Sequence, residues 1–216
     1  MPRPALVVLI VVLIALLAAV SAASVQAMPA DVAVPTPSFD CTKMKLNSVE
    51  TAVCASPMLL ALDAEMSRLY NLATAAGAIA VDDVRHTQTA WIGRRNACGG
   101  RATATTCLRD AYVARIEAIR MASPEARKAE GIVFGPFAYR CPGIDGVTAM
   151  YVNTTPSGLL ALEWAKNRKV LEQAMSADGA RYTGSDGVEF WSKGRGATFV
   201  RARGEAAIEC TQQPDS

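Results

Sequence analysis

Residues 177–194 read ADGARYTGSDGVEFWSKG, and the folding of this stretch decides the C-terminal half. ARYTG and VEFWSKG are short runs with aromatic and β-branched residues, parted by Ser185-Asp186-Gly187. That pattern predicts a β-hairpin. It would carry Tyr182 on one arm, Trp191 on the other, and Lys193 just before a glycine. Strand alternation alone does not say which of these side chains face a core, because a one-residue shift of register exchanges the two faces.

Similar runs lie on both sides: FAYRC, AMYVN, GLLALEWA and KVLEQAM before it, ATFVRAR and EAAIEC after it. Turn signals such as Thr-Pro-Ser-Gly, Lys-Asn-Arg and Arg-Gly separate them. Seven or eight short strands in this span predict an antiparallel meander closed into a small barrel, since closure removes exposed strand edges.

The N-terminal half has a different period. Asn47 and Glu50 have the spacing of a capping box. Ser56-Pro57 is a helix start, and Leu59, Leu62, Met66, Leu69 and Ala73 then recur at three- and four-residue spacing, to an end near Gly77. Further stripes run Val84, Gln88, Trp91, Arg95 and Leu108, Tyr112, Ile116, Ile119. A helical bundle over residues 40–122 follows. The charged stretch EARKAEG lies within a linker, 123–133, and the barrel takes 134–212. The fold class is thus α + β in separate domains.

Residues 1–27 read as a leader: Arg3, an apolar run to about Val20, and small residues up to Val25-Gln26-Ala27. The apolar run approaches the ~18–20 residues that span a bilayer, so an uncleaved anchor is the alternative. The small-residue tail favours cleavage near Ala27, hence a periplasmic or secreted protein without stable membrane insertion. Cys41 follows Ser-Phe-Asp, which is not a lipoprotein cleavage box. Pro-rich residues 28–39 read as a linker.

All six cysteines lie beyond the leader, and an even count in an oxidising compartment reads as a disulfide framework. Cys98 and Cys107 bracket the turn between two helices, and Cys41 can close onto Cys54. Cross-pairing among these four is also open. Each loop is worth ~3 kcal/mol in lost unfolded-state entropy. Without Arg3, the 22 basic residues become 21 against 20 acidic, so no global field favours nucleic acid or an anionic membrane. No C-x-x-C or other metal-ligand spacing occurs, and His86 is the sole histidine. No metal, cofactor or catalytic residue is expected.

Two sets of motifs carry a resemblance. D-C-x12-C-x-S-P-x-L-x-A-L-D-x-E-M-x-x-L-Y, followed by Q-x-A-W-I-x-x-R-N-A-C-x8-C-L-x-x-A-Y-x-x-R-I, resembles the N-terminal domain of LprI-type lysozyme inhibitors. Within it, Trp91 and Tyr112 read as core, and Asp63 with Arg95 as an interhelical pair. Tyr139-x-Cys141, Gly179-Ala-Arg-Tyr182, Phe190-Trp-Ser-Lys-Gly194 and Cys210 resemble the MliC/PliC-type domain of inhibitors of c-type lysozyme.

That second resemblance implies an eight-stranded barrel closed by Cys141–Cys210, a loop worth ~4 kcal/mol. It also implies a loop inserted into the cleft of c-type lysozyme, contacting the enzyme through a serine before G-x-x-Y and the lysine of W-x-K-G. Lys193 occupies the lysine position. Asp178 stands where the serine is expected, with Ser176 two residues upstream. Asp178 is expected to accept a hydrogen bond from the enzyme's protonated acid, or merely to form a turn with Gly179. Tyr182 and Trp191 become aromatic anchors if they face outward. The expectation is an inhibitor that pushes this hairpin into the enzyme. The alternative is an envelope module that binds a protein or glycan.

Overall fold

The computed structural model describes residues 35–75 and 81–214, with the backbone alone over 81–84. The expected leader, its cleavage near Ala27, residues 28–34 of the expected linker, the helix end near Gly77 and the Val84 side chain lie outside the described residues. Among the described residues five helices come first: α1 (Ser48–Cys54), α2 (Pro57–Ala75), α3 (Val81–Asn96), α4 (Ala104–Ala122) and α5 (Pro124–Lys128).

Their starts follow from local chemistry. The Asn47 side chain accepts from the backbone N–H groups of Val49 and Glu50, while Glu50 accepts from the Asn47 N–H at 2.9 Å, which satisfies donors a helix start leaves orphaned. Ser56 Oγ accepts from the Leu59 N–H at 3.3 Å, with Pro57 in the first turn of α2. The α2 stripe from Leu59 to Ala73 is buried against Leu108, Tyr112, Ile116 and Ile119 of α4. Trp91 of α3 packs on the same core and donates its indole N–H to the Ala111 carbonyl at 3.0 Å. Cys41–Cys54 fastens the entering chain to the end of α1, and Cys98–Cys107 closes the passage from α3 to α4.

The stretch 123–133 is well anchored. Ser123 caps α5, and buried Arg120 donates to the carbonyls of Ala126, Arg127, Ala129 and Gly135. One long side chain thereby satisfies a bend that helix or sheet hydrogen bonds do not reach.

Eight antiparallel strands follow: β1 (Val133–Cys141), β2 (Ile144–Val152), β3 (Leu159–Trp164), β4 (Asn167–Ala174), β5 (Ala180–Thr183), β6 (Glu189–Lys193), β7 (Gly196–Val200) and β8 (Ile208–Gln212). Each pairs with the next, and β1 returns to β8 through Tyr139↔Gln212 and Arg140↔Thr211, closing the barrel. Cys141–Cys210 bonds this short seam. Inside, Tyr139 meets Phe190 edge-on at 5.1 Å between ring centroids, and Trp164 meets Phe199 at 5.3 Å.

The helical and barrel segments, separate along the chain, share an apolar core. Val133, Met150, Val152, Leu159 and Ala161 point away from the barrel interior and join the core of the helices. Two ion pairs reinforce the junction, Arg109–Glu172 at 2.5 Å and Arg168–Glu117 at 2.6 Å.

Candidate functional site

In an up-and-down barrel, alternate turns lie at the same end. The β4–β5 loop (175–179) and the β6–β7 turn (194–195) share one end, and the β5–β6 loop (184–188) lies at the other. Residues 180–193 thus form the expected hairpin, and Lys193 lies at its open end, away from the turn. The tip of that hairpin carries Asp186, which pairs with Lys169 and whose carbonyl accepts from the Arg203 N–H at 3.3 Å. Lys193 stands at the opposite end, where β6 turns into β7. Lys193 pairs with Gly196 across a two-residue turn. Gly194 takes φ +57° at its first position, the glycine-first pattern suited to strand twist.

Lys193 and Asp178 face each other across this end. The Lys193 ammonium pairs with the Asp178 carboxylate, and their side chains remain 71% and 49% exposed. The loop beneath them is clamped. Trp191 donates its indole N–H to the Asp178 carbonyl at 2.9 Å, and Ser176 Oγ donates to the Gly179 carbonyl at 3.2 Å. Gly179 has φ +61°, and a Cβ there would collide with the Ser192 carbonyl oxygen, so the position needs glycine twice over. Asp178 therefore makes the turn and also holds the lysine.

The register separates the two aromatics. Tyr182 pairs with Phe190 and both point inward, while Arg181 pairs with Trp191 and both point outward. Tyr182 is 3% exposed, with its ring 5.6 Å from that of Tyr151. It supplies no outward anchor, because the barrel interior takes the aromatic of that arm. Burial, with Tyr151 beside it, holds its phenol neutral and pushes the pKa up to about 12. Trp191 is half-buried and lines a shallow outer groove with Asp178, Lys193, Thr198 and Glu209.

Sequence reasoning did not find the Asp178–Lys193 pair. With Ala180 opposite Ser192, residue 178 becomes a diagonal neighbour of residue 193, and that register is fixed by strand pairing in the barrel, not by spacing along the sequence. The sequence reading also passed over Met175, which opens the same loop and is 95% exposed.

The helical half has its own polar cluster, which holds the fold. Asp63 is fully buried and accepts from the Tyr112 hydroxyl at 2.8 Å and the Ser38 N–H at 2.5 Å, with Arg95 4.0 Å away. The Arg95 guanidinium also lies over Trp91, 5.2 Å from the ring centroid. Burial, then the Asp63 charge, raises the Tyr112 pKa. His86 is exposed.

With this geometry in place, the likeness to known proteins covers both halves. Residues 139–207, most of the barrel, match the family described as membrane-bound lysozyme-inhibitor of c-type lysozyme (MliC). Lipoprotein LprI of Mycobacterium bovis is 31% identical over 182 residues, spanning 80% of this chain and 88% of that protein. Lipoprotein LprI of Mycobacterium tuberculosis gives the same values. An alignment of this length runs beyond the barrel into the helices. The chain belongs to this lysozyme-inhibitor family, with an LprI-type helical segment ahead of an MliC-type barrel.

Proposed function

We propose that the protein is an exported inhibitor of c-type lysozyme, not an enzyme, and that it occludes the enzyme's cleft with the barrel end bearing Lys193 and Asp178. The observation that supports this most is an exposed, opposite-charge pair on a clamped loop of an MliC-type barrel. Lysozyme works with two carboxyl groups, one protonated acid and one ionised carboxylate. The pair on the barrel is their complement. Lys193 meets the ionised group, and Asp178 accepts a hydrogen bond from the protonated one.

Exchange of partners by Lys193 is inexpensive because its own ion pair is wet. Its attraction to the enzyme's carboxylate is ~4 kcal/mol at ~4 Å and an effective dielectric of about 20, before desolvation removes much of it. The outward Trp191 supplies apolar contact. Ser176 keeps to the loop, where it bonds Gly179.

The test is a titration of lysozyme-driven cell-wall lysis. Lys193→Ala weakens inhibition by ~2–5 kcal/mol, the cost of stranding a charge buried at an interface. Equal inhibition by the variant would remove the lysine from the mechanism. The Asp178 contact requires a protonated acid, so inhibition weakens as pH rises through the enzyme acid's pKa near ~6. A flat profile across that value leaves Asp178 as a turn and counter-ion only.

One observation favours a second reading, an envelope module that binds a protein or glycan without inhibiting: the Lys193 ammonium already has a partner in its own chain. Pull-downs on immobilised c-type lysozyme and on purified peptidoglycan separate the two readings. In either case the site of action is the periplasm or the exterior. Among the described residues no helix is long and apolar enough to cross a membrane.

A further inference from the structure

We infer that Met175 is a second apolar contact of the docking end, beside Trp191, and makes inhibition sensitive to oxidation; this rests on the inhibitory reading above. Met175 is the first residue of the β4–β5 loop, three positions before Asp178, and is 95% exposed. The loop is held by the Trp191–Asp178, Ser176–Gly179 and Lys193–Asp178 contacts and by the backbone demand at Gly179. A loop so fastened keeps its large apolar side chain in water.

Other apolar side chains are exposed, among them Met44 at 100% and Met121 at 56%. Met44 precedes α1 and Met121 ends α4, whereas Met175 shares a loop with the carboxylate proposed to meet the enzyme's acid. That acid owes its raised pKa to an apolar, tryptophan-lined pocket. Bringing Asp178 within hydrogen-bond reach of it brings the Met175 thioether against an apolar wall. Thioethers make favourable contacts with aromatic rings.

The same exposure opens the sulfur to a peroxide. Sulfur attacks one peroxide oxygen, the O–O bond breaks, an S–O bond forms and water leaves. The thioether is oxidised by two electrons to the sulfoxide, and the peroxide is reduced by two. The polar sulfoxide no longer suits an apolar wall.

The experiment uses the full mature chain as wild type, Met175→Leu and Met175→Ser. Each is titrated against c-type lysozyme before and after hydrogen peroxide treatment, with the peroxide removed before mixing. Wild type loses about tenfold or more in potency on oxidation, and Met175→Ser loses as much without it. Met175→Leu keeps its potency and is indifferent to peroxide. Circular dichroism stays the same throughout. Wild-type potency in Met175→Ser overturns the contact, and a peroxide loss in Met175→Leu equal to that of wild type overturns the sensor. Absence of inhibition by the untreated wild type removes the inhibitory reading itself, and this inference with it.

Discussion

In β3, Leu159, Leu160, Ala161 and Leu162 are all buried, whereas in β6 burial alternates, with Phe190 inside and Trp191 and Lys193 outside. Both strands line one barrel. The difference is what lies behind them: the helices cover the outer face of β3, and β6 faces solvent. A strand covered on both sides is free to be continuously apolar and carries stability. A strand covered on one side keeps an outer row for polar and aromatic groups. The candidate site sits on a strand whose outer face none of the described helices covers.

Perturbing each region in turn sharpens this contrast. The largest effect is expected at the seam between them. Replacing Cys141 and Cys210 together by serine costs ~4 kcal/mol, because the bond spans 69 residues of chain and the β1–β8 ladder beside it is short. Urea unfolding measures the loss. Hydrogen exchange should accelerate in β7 and β8 before β3, and equal acceleration everywhere would break the contrast.

Leu159→Ala comes next, at about 3 kcal/mol for a cavity in the shared core. Its unfolding should remain a single transition seen alike by probes in the helices and in the barrel. Two separate transitions would mean that the halves hold together weakly. For the same reason residues 134–212 alone would bare Met150, Val152, Leu159 and Ala161, and the fragment should self-associate in sedimentation.

A smaller effect appears at high pH. Burial raises the pKa of Tyr139, Tyr151 and Tyr182 above the ordinary phenol value. A raised folded-state pKa gives stability that is complete below the unfolded value of ~10. It is lost as pH rises through the folded value, about 12 for Tyr182. Tyrosinate absorbance and loss of near-ultraviolet dichroism should therefore rise together above about pH 10. Tyrosines that ionise while the dichroism persists would show the β6 side of the interior to be open.

The smallest effect is expected at Lys193. Its ion pair with Asp178 is exposed, and such pairs add little to folding. Lys193→Ala should leave the melting temperature nearly unchanged while inhibition falls. A marked drop in melting temperature would make the lysine a structural residue.

Much of this architecture was legible in the residues. The stripes of α2 and α4, the capping signals at Asn47 and Ser56, and the eight β-type runs depend on local periodicity and turn chemistry, and each has its counterpart in the fold, whereas of the stripe on α3 only Trp91 is seen buried. The run GLLALEWA even carried a sign of two-sided burial in its lack of alternation, but a continuous apolar run does not say what covers its second face. Tyr182 and Trp191 looked equivalent because face depends on register. Lys193 could be placed at the end of its arm, but a strand's end is not assigned to a barrel end, nor given neighbours there, until closure is known.

The sequence by itself determined the helical and β segments, the oxidised cysteines and the family, since spacing, capping and motif are properties of neighbouring residues. The tertiary structure alone decided that the helices and β2–β3 share a core, that Tyr182 turns inward and Trp191 outward, and that Asp178 holds Lys193 at the end away from the hairpin tip. Those outcomes depend on the register of eight strands and the closure of β1 on β8, which bring together residues far apart along the chain.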